Sequence, residues 1–157
     1  MELFDLKPNQ HFLISQKAVI ENKGKILVLW NTESKRGKTS RWELPGGLLY
    51  TNENLKAGLL REVKEETCLN IRIIKPLFVQ VHSYNGFQLK DGRKINARIV
   101  GIAYLCKLSP RFQRLKLSWE HDRFKWATPK EIGKLDLAKN SKKLIEKYLK
   151  ERNKLND

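Results

Sequence analysis

Apolar and polar positions along this chain follow two periods, and the switches between them outline its elements. Phe12 to Ile20 reads as a strand that ends at the turn Glu21-Asn22-Lys23-Gly24. Lys25 to Trp30 reads as a second strand, apolar enough to be buried on both faces. Asn31 to Arg41 is polar and reads as a loop. Trp42-Glu43-Leu44-Pro45-Gly46-Gly47 is a short extended piece that ends in a turn. Asn54 is a good N-cap, and after it the period lengthens. Leu55, Leu59 and Val63 recur every four residues, the buried stripe of a helix. Strand patterning returns at Ile71 to Ile74 and, after Pro76, at Leu77 to Val81. Asn85-Gly86 and Asp91-Gly92 both read as turns, the second as a hairpin turn. Ala97 to Leu108 is a long apolar strand and Arg123 to Ala127 a short one. Thr128-Pro129-Lys130-Glu131 opens a helix with proline at its first position. Ala138 to Arg152 is an amphipathic helix with Leu144, Ile145, Tyr148 and Leu149 on its apolar side.

Strands therefore mix with helices, and no repeat or linker divides them. Residues 1–157 are expected to form a single domain, because 157 residues can bury one core but hardly two. No apolar run approaches the ~20 residues that cross a bilayer, and the start lacks a signal-peptide pattern. A cytoplasmic protein working off the membrane is expected. Cys68 and Cys106 have no metal or redox spacing and are expected as free thiols. The net charge of +15 points to polyanionic partners such as nucleotides or RNA, or to a generally basic protein.

Against that basic background, Glu62, Glu65 and Glu66 stand at i, i+3 and i+4 and share one helix face. Three carboxylates this close repel one another without a counter-charge. Hard oxygen donors at this density suit Mg²⁺, Mn²⁺ or Ca²⁺. Gly46-Gly47 just upstream permits close approach of backbone to a ligand. Arg61 could pair with Glu53 through two parallel hydrogen bonds if the loop between them folds back. The competing reading is a solvated acidic face.

The stretch Gly47 to Leu69 reads G-x5-E-x7-R-E-V-x-E-E-x-C-L, and six of the seven fixed positions of one known motif match. It resembles the Nudix box. Trp42-Glu43-Leu44-Pro45-Gly46-Gly47 is similar to the family's lead-in, and Phe124 to Glu131 to its last strand and following helix. The resemblance implies an α/β fold, an α/β/α sandwich around a mixed β-sheet. It implies Mg²⁺-dependent hydrolysis of a nucleoside diphosphate linked to another group, with Mn²⁺ as the alternative metal. Carried over position by position, Glu62, Glu65 and Glu66 are the metal ligands, joined by a backbone group of Gly47. Arg61 and Glu53 are the supporting pair. Cys68 replaces the box glycine. Either it takes the left-handed conformation itself, or the helix exits differently and Asn70 makes the turn. Gly58 is a second oddity, in the middle of the helix.

The remaining site candidates are weaker. Glu120 is a candidate general base, with Glu65 or Glu66 as rivals; His121 reads as a solvated loop histidine. Gly46, Gly47, Trp42, Arg41 and Tyr84 are candidate substrate contacts; Trp30, Phe87 and Trp126 are further rings that could stack, with Trp30 and Trp126 reading foremost as core. The basic loop Lys35 to Arg41 could hold distal phosphates or an RNA backbone. Small substrates are favoured, nucleoside triphosphates first. ADP-ribose, dinucleoside polyphosphates and capped RNA stay open, as does a non-catalytic nucleotide- or RNA-binding module. A homodimer is a candidate assembly.

Overall fold

The computed structural model describes residues 11–32, 40–89 and 91–154, apart from the Phe87 side chain. Six strands form one mixed sheet: β1 (His11–Asn22), β2 (Lys25–Asn31), β3 (Trp42–Glu43), β4 (Ile71–Gln88), β5 (Lys94–Leu108) and β6 (His121–Ala127). Three helices accompany them: α1 (Leu55–Thr67), α2 (Pro129–Ile132) and α3 (Lys139–Lys154). The strand order is β3-β2-β1-β5-β4, with β6 on the other side of β2. β1 and β5 run parallel; every other pairing is antiparallel.

Alternation along β1 and β2 splits the core in two. Ala18, Ile20, Leu27 and Leu29 pack with Leu59 and Val63 of α1. Val19, Ile26 and Val28 pack with Leu144, Ile145 and Tyr148 of α3. Side chains that alternate across a strand thus meet one helix on each face, which is the expected α/β/α sandwich. Both faces of β2 are buried, as its continuous apolar run requires. Each such aliphatic side chain contributes about 1.5–3 kcal/mol on leaving water.

Several element readings change. Leu55 does not join the buried stripe of α1; it is exposed, and Gly58, Leu59, Val63, Glu66 and Thr67 form the buried side. Pro76 does not divide two strands, because β4 runs from Ile71 to Gln88 and absorbs the proline at a register shift. Asn85-Gly86 is likewise no turn. Gly86 takes φ 73° inside β4 at another register shift, its N–H bonded to Asn96 Oδ1 at 3.2 Å. The hairpin closes at Asp91-Gly92, as its sequence predicts.

Sheet pairing leaves a gap that places the functional loop. β1 meets β2 only near Glu21 and Ile26. Along the rest of that edge, residues 45–49 take the place of a strand. Ala18 N–H donates to Pro45 O, Gln16 N–H to Gly47 O, and Leu49 N–H to Ile14 O. The glycine turn is therefore fixed to the sheet beside α1.

Candidate metal and pyrophosphate site

Helix α1 is built as its sequence reads at both ends. Asn54 Oδ1 accepts from Ala57 N–H at 2.8 Å. At the other end Cys68 takes the left-handed conformation, φ 60°, and its N–H donates to Lys64 O at 2.9 Å. Cys68 itself, not Asn70, makes the turn, at a strain of about 1–2 kcal/mol. The Lys64 ammonium closes over the Cys68 carbonyl at 2.9 Å and partly offsets that strain. Both cysteines are free thiols; burial pushes the Cys106 thiol up to about 12. Gly58 also has a reason: a Cβ there would meet Leu49 Cδ1 at 2.5 Å and Gln16 Oε1 at 2.9 Å. A side chain there would require Leu49 and Gln16 to shift, so the glycine lets α1 pack closely against both.

Arg61 gathers the acidic residues. Its Nε and Nη2 donate to the two oxygens of Glu53, the latter at 2.9 Å. Nη2 also reaches Leu48 O at 3.1 Å, and the guanidinium lies 3.9 Å over the Tyr50 ring. The loop does fold back, as the paired reading of Arg61 and Glu53 requires. Nη1 donates to Glu62 at 2.9 Å and Glu65 at 3.1 Å. The hydrogen bond from Arg61 holds the Glu53 carboxyl below the usual carboxylate range. The hydrogen bond to Glu53 in turn raises the Arg61 guanidinium above its ordinary value.

Glu66 points elsewhere. It is 4% exposed, and its Oε2 accepts from Gly46 N–H at 2.8 Å. Burial pushes its carboxyl up, while the Lys17 ammonium, His121 and the Gly46 N–H pull it back. The shared face of the three glutamates is thus split. Glu62 and Glu65 turn to Arg61; Glu66 turns inward. The glycine loop bridges the two directions, for a Cβ on Gly47 would lie 2.6 Å from the Glu62 carboxyl carbon. Gly46, at φ 127°, sits against Gln16 O in a conformation and a space open only to glycine.

Among the described residues, no three His, Cys, Asp or Glu side chains converge into a ready metal cage. Glu62 and Glu65 spend their oxygens on Arg61 instead. The donor set still fits a hard divalent cation. It is all oxygen, it sits on one helix, and the missing Cβ of Gly47 leaves the loop pressed on Glu62.

Other expected contacts lie apart from this cluster. Trp42 packs in the core under α3, not the core under α1. It meets Trp30 edge-on at 5.4 Å, and Arg123 covers Trp30 at 4.4 Å. Arg41 turns its guanidinium to Asp136 at 3.8 Å. Tyr84 pairs with Ala97 at the level of His11, four residues along β1 from the Ser15–Leu48 bridge, or about 13 Å. Trp126 packs in the core under α1. Lys35 to Thr39 of the basic loop, and the Phe87 ring, lie outside the described residues. Glu120 is half-buried on a segment that docks on α1, where Ser118 N–H donates to Glu66 O at 3.1 Å.

Three polar residues beside the cluster, Lys17, Glu43 and His121, have partners that the sequence does not show. His121 is not a solvated loop histidine: it is 3% exposed, and its Nε2 lies 3.1 Å from Glu43 Oε1. Glu43 also lies 3.9 Å from the Lys17 ammonium. The only sequence signal for Lys17 is a charge inside an otherwise apolar strand.

Known proteins resemble this chain in sequence and fold. The NUDIX domain family model matches residues 15–148. A MutT-like protein of Streptomyces ambofaciens is 28% identical over 126 residues, which is 80% of this chain and 70% of that protein. A CTP pyrophosphohydrolase of Escherichia coli K12 is 27% identical over 132 residues, 84% of this chain and 87% of that one. The crystal structure of a MutT protein from Methanosarcina mazei Go1 superposes with a TM-score of 0.71, at 27% identity over 93% of this chain and 99% of its own. The chain belongs to the NUDIX domain family, hydrolases that act on phosphoric anhydrides.

Proposed function

We propose that this protein is a divalent-metal-dependent pyrophosphohydrolase of small nucleotides, with nucleoside triphosphates as the first candidates. One observation carries the reading: four carboxylates, Glu53, Glu62, Glu65 and Glu66, are organised around Arg61 and the Gly46-Gly47 turn. The CTP activity named for the Escherichia coli relative favours a nucleoside triphosphate over ADP-ribose or a dinucleoside polyphosphate.

Glu62, Glu65 and Glu66 would hold Mg²⁺ or Mn²⁺, with a backbone group of the Gly47 turn as a further candidate. A cation bound there supplies charge neutralisation on the pyrophosphate and activation of water. The chain's own residues do the rest. Arg61 fixes Glu62 and Glu65 through one rigid fork, and Glu53 fixes Arg61. Gly46 N–H fixes Glu66 in a site closed to solvent, where electrostatic interactions are strong. Glu120 is the candidate base from the segment docked on α1, with Glu65, exposed at the surface, as the rival. The net charge of +15 favours approach of a polyphosphate.

The test is phosphate and pyrophosphate release over a nucleotide panel with Mg²⁺ or Mn²⁺, with Glu65→Gln run beside the native protein. The reading expects turnover of at least one nucleotide, reduced in the variant. No turnover by the native protein would favour a nucleotide-binding module of the same fold. Equal turnover by both would remove Glu65 from the metal site.

A further inference from the structure

The turn Leu44-Pro45-Gly46-Gly47 has almost no secondary structure of its own, yet its polar groups are nearly all accounted for. Leu44 N–H donates to Ser141 Oγ at 3.0 Å, Pro45 O accepts from Ala18 N–H, and Gly47 O from Gln16 N–H. Gly46 N–H is taken by Glu66. Two carbonyls, Leu44 O and Gly46 O, remain on either side of that N–H. One side chain caps both: the Lys17 ammonium lies 3.0 Å from Leu44 O and 2.8 Å from Gly46 O. Glu43 Oε2 lies 3.9 Å from the same ammonium, an ion pair beyond hydrogen-bond distance.

We propose that Lys17 is a positioning residue for the reaction: by clamping Leu44 O and Gly46 O it aims the Gly46 N–H at Glu66 and so fixes that carboxylate. The need for a clamp follows from Gly46 itself. At φ 127° glycine resists little rotation, and although Ala18 N–H holds the Pro45–Gly46 peptide from one side through Pro45 O, the peptides before and after it are held at their carbonyls by Lys17. A main-chain donor cannot reach two carbonyls two residues apart on a turn; a lysine on the neighbouring strand can. Its charge also serves the site. Glu43 and Glu66 are both largely buried, and each would repel the other without a cation between them and solvent. Lys17 offsets this repulsion from beside Glu43 Oε2, while His121 Nε2 lies against Glu43 Oε1. The functional consequence rests on the proposed metal role of Glu66; the clamp itself does not.

Lys17→Met keeps the length of the side chain and removes its donors and charge. The expected result is loss of amide-exchange protection at Gly46, by at least about tenfold, while Val19 and Leu29 in the core keep theirs. In the same variant kcat falls about 10–100-fold, the usual cost of losing support behind a ligand, and KM stays within about threefold. A merely structural lysine would lower thermal stability without that split or that local exchange. Unchanged protection at Gly46 would overturn the clamp. Lost protection with no turnover even by the native protein would support the clamp and sink the hydrolase reading instead. If the Met variant does not fold, the native protein carries the test. The Lys17 ammonium protons must then exchange slowly enough to be seen by NMR, coupled to the Leu44 and Gly46 carbonyls. A Lys17 signal that exchanges like a surface lysine would overturn the proposal.

Discussion

The two sides of helix α1 solve one problem in opposite ways. On the outer side a single guanidinium holds three carboxylates in partial contact with water, and Glu65 is still 56% exposed there. On the inner side Glu66 is buried and held by a backbone N–H, with Lys17, Glu43 and His121 around it. The outer side can rearrange, because its charges stay near solvent and Arg61 can trade one acceptor for another. The inner side is less free to do so, because Glu66 and His121 are buried and a charge left unpaired there would be costly. A metal held by Glu62, Glu65 and Glu66 would thus draw on a pair near solvent and on one buried carboxylate.

That contrast can be broken from the outer side first. Glu62→Gln removes one carboxylate charge without changing shape and should lower kcat about 10³-fold, measured with saturating Mg²⁺. A loss that excess metal restores would mean that Glu62 tunes affinity only. Arg61→Lys should cost less, about 10–100-fold in kcat, because a lysine keeps the charge but cannot hold Glu53, Glu62 and Glu65 with one fork. Full activity in that variant would show that charge alone organises the outer side.

Two smaller effects lie away from the glutamates and mark where the site stops. Cys68→Gly relieves the left-handed strain at φ 60° and should raise stability by up to about 1 kcal/mol in a denaturant titration, with activity unchanged. A fall in activity would extend the site to the helix exit. At the start of α2, Thr128 and Glu131 form a capping box, and the backbone N–H of Thr128 holds the Glu131 carboxyl down to about 2. A folded value below the usual 4.5 gives stability that is present above about pH 4.5 and is lost as pH falls toward 2. Glu131→Gln should flatten the melting-temperature profile over that window only; a changed profile near neutral pH would contradict it.

The fold and the outer side of the site were legible from sequence because both rest on local spacing. Period four placed α1, and the distance from Gly47 to Glu66 placed the box. Leu55 departs from the pattern because at this first turn of α1 its side chain faces solvent, while its carbonyl is held by Gln16 of β1. Pro76 and Gly86 misled because a strand with one open edge tolerates breakers as bulges. The inner side was not legible because its contacts span the chain: Lys17 reaches Gly46 and Glu43, and His121 reaches Glu43 across 78 residues. Trp42, a candidate substrate contact, is half-buried beside Trp30. Strand alternation sends it to the opposite core while its neighbour Glu43 faces His121.

Glu66 joins the two sides, so turnover of nucleoside triphosphate by native protein and by Glu66→Gln, each with Mg²⁺ and with chelator, is the most direct test. A metal–pyrophosphate site requires native turnover that chelation abolishes, and a loss of at least about 10³-fold in the variant with its fold intact. Chelator-resistant turnover, or a Glu66→Gln protein as active as the native one, would contradict it.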